Sequence, residues 1–157
     1  MMPQKAIDAW QILRIQGEFT RLFDEMSDLD RPCIAVFGSA RTSTGNKYYQ
    51  EAIEVGEQLA AKGFGVITGG GPGIMEAANR GSAEVGAKNI GLTISLPFED
   101  SGNDWITEGL NMKFHYFFMR KFWFLYHAKA IVVWPGGFGT LDELMEVLTL
   151  IQTKKIM

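Results

Sequence analysis

Three short apolar runs in the chain are each followed within two residues by glycine, and then by a segment with helical spacing. The runs are Cys33–Phe37, Phe64–Thr68 and 130–134. Short, β-branched apolar runs are typical of strands buried in a parallel sheet, and parallel strands that alternate with helices need crossover connections. The pattern therefore predicts an α/β fold, an open, doubly wound parallel sheet with helices on both faces.

The remaining segments predict another strand, a polar loop and several helices. Asn89–Leu96 predicts another strand, and residues 97–104 are typical of a polar loop. The N-terminal segment 6–29 spaces its apolar residues as an amphipathic helix or helix pair does, so residues 1–30 are interpreted as a helical extension. Four other segments are expected to form helices: Tyr48–Lys62, Ile74–Val85, 112–127 and Leu141–Thr153.

Length and composition limit the class of protein. A chain of 157 residues with 46% hydrophobic residues is expected to form one domain over residues 1–157. The sequence ends directly after a helix, where this architecture would begin another strand, so either a C-terminal strand is missing or the sheet ends there. The net charge of −3 disfavours nucleic acid and membrane surfaces as partners. A single cysteine and the lack of any apolar run near ~18 residues favour a cytoplasmic protein. The spacing of histidine and cysteine supports no metal site.

Glycine-rich loops follow the three strands and, in a parallel sheet, fall together at the carboxyl edge where ligands bind. Glycines let a ligand approach the backbone, and free N–H groups at a helix start attract phosphate. The segment 69–73 lacks the full GxGxxG spacing and the chain has no GxxxxGK[ST] sequence, so neither a dinucleotide nor a nucleoside triphosphate is indicated. The residues expected to hold a small phosphorylated ligand are Gly38, Ser39, Gly70, Gly71, Gly136, Gly137, Phe138, Gly139 and Thr140.

One long segment, 111–129, is apolar almost all round and carries two cations in its middle, Arg120 and Lys121. In a helix, Arg120 has aromatic neighbours three and four positions away, and its charge needs an anion, a water-filled pocket or an acidic partner beside the rings. Lys121 is expected to extend toward solvent. Because one domain can hardly bury every aromatic side chain of this segment, we expect it to lie at an interface in a homodimer or larger homo-oligomer.

Glu143 admits two interpretations. Thr140 and Glu143 have the spacing of a capping box, in which both side chains bond backbone N–H groups at the start of a helix. A carboxylate beside a bound sugar phosphate could instead attack a glycosidic carbon or stabilise the positive charge that develops there. The spacing alone does not separate the structural role from the catalytic one.

Several motifs together resemble the Lonely Guy family of cytokinin-activating enzymes, long labelled "possible lysine decarboxylase". They are GGGPGIMEAANRG (69–81), Met119-Arg120-Lys121, and PGGFGTLDE (135–143) followed by Thr149. The resemblance runs from about Cys33 to Thr153, and residues 1–30 resemble the longer bacterial branch of the family. It implies a Rossmann-like fold that binds no dinucleotide, and hydrolysis of the N-glycosidic bond of adenosine-type nucleoside 5′-monophosphates, either AMP or an N6-modified cytokinin nucleotide. The family is usually dimeric.

Residue by residue, the resemblance makes Arg120 and Glu143 the catalytic pair. Lys121, the backbone from 137 to 140 and Thr149 would bind the substrate, and no cofactor is implied. An alternative of another class is a non-catalytic carrier or sensor of a nucleotide or pterin phosphate, as in molybdenum-cofactor carrier proteins of similar fold. A decarboxylase that uses pyridoxal phosphate is disfavoured, because such an enzyme needs a cofactor-bearing lysine within a much larger scaffold.

Overall fold

The apolar runs form strands of one parallel sheet. The computed structural model describes residues 4–27, 31–95 and 102–156. Their elements, in chain order, are α1 (Gln4–Met26), β1 (Cys33–Phe37), α2 (Lys47–Ala61), β2 (Gly65–Thr68), α3 (Ile74–Glu84), β3 (Asn89–Ile94), β4 (Asn111–Phe114), α4 (Phe117–His127), β5 (Ala128–Val133) and α5 (Phe138–Gln152).

The sheet has five strands in the order β4-β3-β2-β1-β5, and every pair is parallel. The central strands β1 and β2 are buried along their whole length, as expected for strands covered on both faces. β5 lies at one edge and β4 at the other. The predicted α/β fold is therefore confirmed.

Two apolar cores cover the two faces of the sheet. On one face α2 and α3 pack together and against the sheet, with Tyr49 and Ile74 among the buried side chains. On the other face α1 and α4 contribute Leu22, Met26 and Trp123 to a second core. The N-terminal segment forms one helix, and its C-terminal half belongs to this second core.

The prediction of one continuous helix over 112–127 is wrong. Asn111–Phe114 pairs with β3 as strand β4, and the helix begins only at Phe117. Met112 and Phe114 alternate with exposed neighbours, so that both are buried in the core, whereas a helix would place these two side chains on different sides. Burial against β3 therefore outweighs the helical spacing of the later aromatic residues.

Smaller differences concern the ends of elements. β3 ends at Ile94, and the predicted strand end at Leu96 and most of the predicted loop, 97–101, lie outside the described residues. β5 begins at Ala128 and α5 begins at Phe138, two and three residues earlier than predicted. The earlier start of α5 matters because it places Phe138 and Gly139 in the first helical turn.

Candidate active site

The chain changes direction in the sheet beside β1. It runs outward from β1 through β2 and β3 to β4, and then returns so that β5 pairs with β1 on its other side. Such a switch point leaves a crevice at the carboxyl ends of the two strands. A cavity of about 560 Å³ lies there, lined by the loops after β1 and β5 and by residues of α3 and α4. Two of the three predicted loops thus meet at one site.

The start of α5 forms one wall of the cavity. Gly137 precedes the helix with φ of −83°, and no side chain caps the first backbone N–H groups. These groups have no partner within the helix and carry partial positive charge. Because α5 begins at Phe138 with Gly137 as its N-cap residue, Thr140 is the third residue of the helix and not its cap. The capping-box interpretation of Thr140 and Glu143 is therefore wrong.

The glycines of this loop differ in what surrounds them. A Cβ atom added at Gly137 or Gly139 would meet nothing within 4 Å, because both border the open cavity. A Cβ atom at Gly136 would collide with the side chain of Thr140, which is buried. Gly136 therefore serves packing, and it does not line the cavity as predicted.

Arg120 reaches the cavity from α4. Its Nε atom donates a hydrogen bond of 2.7 Å to the carbonyl oxygen of Leu92 in β3, and its guanidinium lies 5.4 Å from the ring centre of Phe124. A Cβ atom at Gly69 would collide with this guanidinium. The predicted contact with an aromatic ring is confirmed for Phe124, and Gly69 leaves the room that the charged group occupies.

Glu143 lies on α5 beside the same cavity and is half-buried. Burial raises the pKa of Glu143 from 4.5 to about 7, against the opposing influence of Lys121 and Arg120 and with support from the carboxylates of Glu146 and Asp142. A carboxyl group that titrates near neutrality inside a cleft can either hold a proton or present a charge to a ligand.

Lys121 ties α4 to α5. Its Nζ atom lies 2.7 Å from Asp142 and 2.9 Å from Glu146, and its side chain is 22% exposed. Burial lowers the pKa of Lys121, but the hydrogen bonds to Asp142 and Glu146 outweigh that effect and raise it to about 12. Lys121 does not line the cavity, and its expected extension into solvent is replaced by these two ion pairs.

Three other predicted ligand residues also lie away from the cavity. Gly70 has φ of +75° and lines a separate cleft of about 290 Å³ with Trp105. Gly71 is absent from the cavity lining, and a Cβ atom there would lie 2.8 Å from Cε of Met75. Thr149 is exposed and donates a 2.7 Å hydrogen bond to the carbonyl oxygen of Met145. The substrate-binding roles of these residues stay predictions.

The cavity contains several residues outside the predicted set. Arg41 lies on the loop after β1 and brings a guanidinium group to the lining, Met75 lies on α3, and Phe117 lies in the first turn of α4. The position of Arg41, three residues after Gly38 in a predicted ligand loop, was a usable signal in the sequence. Met75 and Phe117 had none, because their presence depends on how α3 and α4 pack across the sheet.

Cys33 is buried in β1, outside the cavity. Burial raises the pKa of the Cys33 thiol to about 11, which keeps it protonated near neutral pH. Within residues 4–27, 31–95 and 102–156, no group of three or more His, Cys, Asp or Glu side chains is placed to hold a metal ion. None of the helices in these ranges is long and apolar enough to cross a bilayer.

The chain is similar in sequence to a known family of proteins, and this similarity agrees with the parallel α/β fold and the ligand cavity at its switch point. A sequence model of the family described as "Possible lysine decarboxylase" matches residues 75–157, more than half of the chain. The chain is 34% identical over 113 residues to the cytokinin riboside 5′-monophosphate phosphoribohydrolase LOG1 of Arabidopsis thaliana, which covers 69% of this chain and 52% of that protein. The chain belongs to this family, and the resemblance to Lonely Guy proteins is confirmed. It spans about half the length of the curated relatives that it matches.

Solved structures share the fold. A Moco carrier protein from Chlamydomonas reinhardtii matches with a TM-score of 0.59 at 27% identity, over 76% of this chain and 72% of that chain. The molybdenum cofactor binding protein from the phototrophic bacterium Rippkaea orientalis gives a TM-score of 0.62 at 23% identity, over 75% and 71% of the two chains. This chain therefore shares its architecture with proteins whose names describe a carrier, while its sequence relatives have names that describe an enzyme.

Proposed function

We propose that the protein is a phosphoribohydrolase that cleaves the N-glycosidic bond of a purine nucleoside 5′-monophosphate to give free base and ribose 5-phosphate. The observation that carries this proposal is the meeting of three features in one cavity: the uncapped start of α5, the guanidinium of Arg120, and Glu143 with a pKa of about 7. Family membership and the activity named for LOG1 support the same reaction class.

The 5′-phosphate binds at the start of α5 in this proposal. The backbone N–H groups of the first turn, 138–140, offer donors and partial positive charge, and Gly137 and Gly139 leave the space that the phosphate oxygens need. Arg41 faces the same cavity from the loop after β1 and adds a full positive charge. This arrangement selects a phosphorylated ligand over the corresponding nucleoside.

The reaction needs stabilisation of a cation at the sugar. The bond between ribose C1′ and the base nitrogen breaks with its electron pair on the base, which takes up a proton, and water adds to C1′. The carboxylate of Glu143 stabilises the positive charge that develops at C1′. Arg120, fixed by its hydrogen bond to Leu92, orients the substrate beside it.

The protonation state of Glu143 sets the pH range of this chemistry. Because its pKa is about 7, the side chain is mostly neutral in mild acid and mostly charged in mild base. A role as carboxylate therefore requires activity to rise with pH through about 7 and then to level off. A role as general acid requires the opposite slope.

The purine is proposed to lie over the apolar part of the lining, which includes Met75 and Phe117. The cavity volume of about 560 Å³ is within the range of about 300–1,000 Å³ that small-molecule sites occupy. We propose an adenosine-type base, with AMP or an N6-modified cytokinin nucleotide as the substrate.

Base release tests the proposal directly. The protein is incubated with AMP, with isopentenyladenosine monophosphate and with adenosine, and free base is quantified by chromatography. We expect release from at least one monophosphate and none from adenosine at equal concentration. Equal release from adenosine would contradict the phosphate site, and release from no substrate would contradict the enzyme.

A non-catalytic carrier is the second candidate, and the likeness to the Moco carrier protein is the observation that favours it. In that case the same cavity holds a phosphorylated ligand without cleaving it. Calorimetric binding of AMP together with no base release over many hours would favour the carrier.

We also propose that the protein assembles as a homodimer or larger homo-oligomer. Phe114 and Trp123 of the aromatic segment are buried within one chain, so they do not need a second copy. Others remain strongly exposed: Phe117 (57%), Phe118 (54%), Tyr126 (53%) and, on α5, Phe138 (93%). Sedimentation at micromolar concentration is expected to give a mass of at least two chains. A cytoplasmic location stays a prediction.

A further inference from the structure

The N-terminal helix α1 carries two neighbouring rows of side chains with different tasks. The apolar row, which packs into or against the core beside α4, is Ile15, Phe19, Leu22 and Met26. The polar row beside it is Arg14, Glu18 and Arg21, which follow the i, i+4, i+7 spacing of one helix face. The apolar row explains why α1 covers the sheet, and it leaves the polar row unexplained.

All three polar side chains bond one short corner, Lys113–Tyr116, between β4 and α4. Nη2 of Arg21 donates a 3.0 Å hydrogen bond to the carbonyl oxygen of Lys113, and the backbone N–H of His115 donates a 3.3 Å bond to Oε1 of Glu18. Nη1 of Arg14 lies 3.2 Å from Nε2 of His115. These contacts span 92 to 101 positions of sequence, so α1 fixes the corner from outside its own neighbourhood.

The corner lies one helical turn from Arg120. Tyr116 is the residue that precedes α4, and the backbone N–H of Arg120 donates to the carbonyl oxygen of Tyr116 at 3.3 Å. The other end of the Arg120 side chain is anchored by Nε to Leu92, whose strand pairs with β4. Any shift of the corner therefore moves the backbone of Arg120 relative to the atom that anchors its guanidinium.

Aromatic contacts also fix the rotation of α4. The ring centres of Phe19 and Phe122 are 4.9 Å apart, and those of Phe23 and Trp123 are 4.8 Å apart. Trp123 is fully buried under α1, while Arg120 on the same helix lines the cavity. The contacts with α1 thus fix the rotation of α4 about its axis, and with it the direction in which the Arg120 side chain leaves the helix.

We propose that α1 is part of the catalytic support, and that Glu18 and Arg21 are positioning residues that set the place of Arg120 through the Lys113–Tyr116 corner. This inference rests on the proposed phosphoribohydrolase function. Displacement of a catalytic group by about 1 Å can cost about 10²-fold in rate, so loss of one corner contact is expected to reduce turnover without emptying the site. A helix that merely covers the core would act on stability alone.

Three variants of the full chain separate these roles. Glu18→Ala removes the acceptor for the His115 N–H, Glu18→Gln retains an oxygen acceptor, and Ile15→Ala removes only packing from the adjacent row. For Glu18→Ala we expect kcat to fall about tenfold or more, with KM for AMP changed less than about twofold, because the phosphate contacts lie on other loops. Glu18→Gln should restore most of kcat, and Ile15→Ala should lower Tm while kcat stays unchanged.

Hydrogen exchange supplies a readout that does not depend on turnover. In Glu18→Ala the amides of residues 115–120 should exchange about tenfold faster or more, whereas Ile15→Ala should leave them at wild-type rates. Wild-type kcat in Glu18→Ala, or reduced kcat with unchanged exchange in this segment, would overturn the inference. If the wild-type protein releases no base from any monophosphate, the proposed function fails by itself. Exchange then judges the corner by itself, and a Glu18→Ala protein whose amides of residues 115–120 exchange at wild-type rates would overturn the inference.

Discussion

Two helices of this protein begin at glycine-rich turns after parallel strands, yet the two turns are built differently. At the start of α3 the glycines are enclosed: Gly70 and Gly73 have φ of +75° and +69°, and a Cβ atom at Gly73 would meet the backbone of Ser39 and Ala40. At the start of α5, Gly137 and Gly139 have ordinary φ values and open space beside them.

The difference shows that glycine-rich turns after strands serve two distinct purposes. The turn 69–73, here called the closed turn, has glycines with positive φ and packs closely against the loop after β1 and against Arg120, so it serves a structural role. The turn 136–139 at the start of α5, here called the open turn, has free space beside Gly137 and Gly139, where a ligand can bind. Substitutions at Gly70 or Gly73 should therefore act on stability, and substitutions at Gly137 or Gly139 on binding and rate.

The largest expected effect belongs to Glu143, which lies on α5 and lines the same cavity as the open turn. Glu143→Gln keeps the size of the side chain and removes its charge, so we expect turnover to fall by about 10²–10³-fold, as for other electrostatic stabilisers. Because the pKa of Glu143 is raised from 4.5 to about 7, the folded wild type loses stability as pH rises between these values. The variant avoids this loss and should melt a few °C higher at pH 8. Wild-type turnover would remove Glu143 from the catalytic residues.

The closed turn should respond in stability. Gly73→Ala meets both a positive φ and backbone atoms of Ser39 and Ala40, so we expect the free energy of unfolding to fall by about 2–5 kcal/mol. Gly86→Ala is the matched control, because Gly86 has φ of +72° with nothing within 4 Å, and it should cost only about 1–2 kcal/mol. Urea unfolding measures both, and equal costs would contradict a packing role for Gly73.

Gly137→Val tests the open turn without disturbing the helix. Its φ of −83° suits valine and a Cβ atom there has open space, so stability should fall by no more than about 1 kcal/mol, the cost of a poorer N-cap residue. We expect affinity for AMP to fall about tenfold or more, since an obstruction worth about 1.4 kcal/mol changes a dissociation constant tenfold. Gly136→Ala is the opposite case, because its Cβ would collide with Thr140 and reduce stability. A folded Gly137→Val protein with unchanged affinity would mean that the turn binds nothing.

Much of the fold was predictable because its signals are local. β1 and β2 are apolar runs bounded by turn residues, and their pairing needs no information beyond the alternation of strands and helices. β4 was missed because only Met112 and Phe114 signal the strand, and the aromatic spacing of α4 continues straight after them. Its strand character comes from pairing with β3, which no local pattern contains.

The candidate site was predictable where residues follow strands directly. Gly38, Ser39, Gly137 and Thr140 line the cavity because the ends of parallel strands meet at one edge. The positions of Gly70 and Gly71 outside this cavity were not predictable, because sequence shows that a residue is glycine and does not show what lies beside it. Their neighbours are set by the packing of α3, which also determines whether the space next to a glycine is open or filled.

The smallest expected effect concerns the ion pairs beside the open turn. Lys121 lowers the pKa of Glu143, and it also binds Asp142 and Glu146, whose negative charges raise that pKa. Lys121→Met removes the positive charge and leaves both carboxylates unpaired, so the pKa of Glu143 should rise further. The midpoint at which kcat/KM increases with pH should then move upward from about 7, by up to about one pH unit because water screens partly exposed charges.

Lys121→Arg is the matched control for this change, since it retains a positive charge within reach of the same carboxylates. Its midpoint should stay at the wild-type value, and the low residual activity of Glu143→Gln should show no rise near pH 7. A Lys121→Met protein with an unmoved midpoint would mean that the rise in activity belongs to another group. The group whose titration changes the activity would then be a residue other than Glu143. Only phosphate binding would then distinguish the open turn from the closed turn.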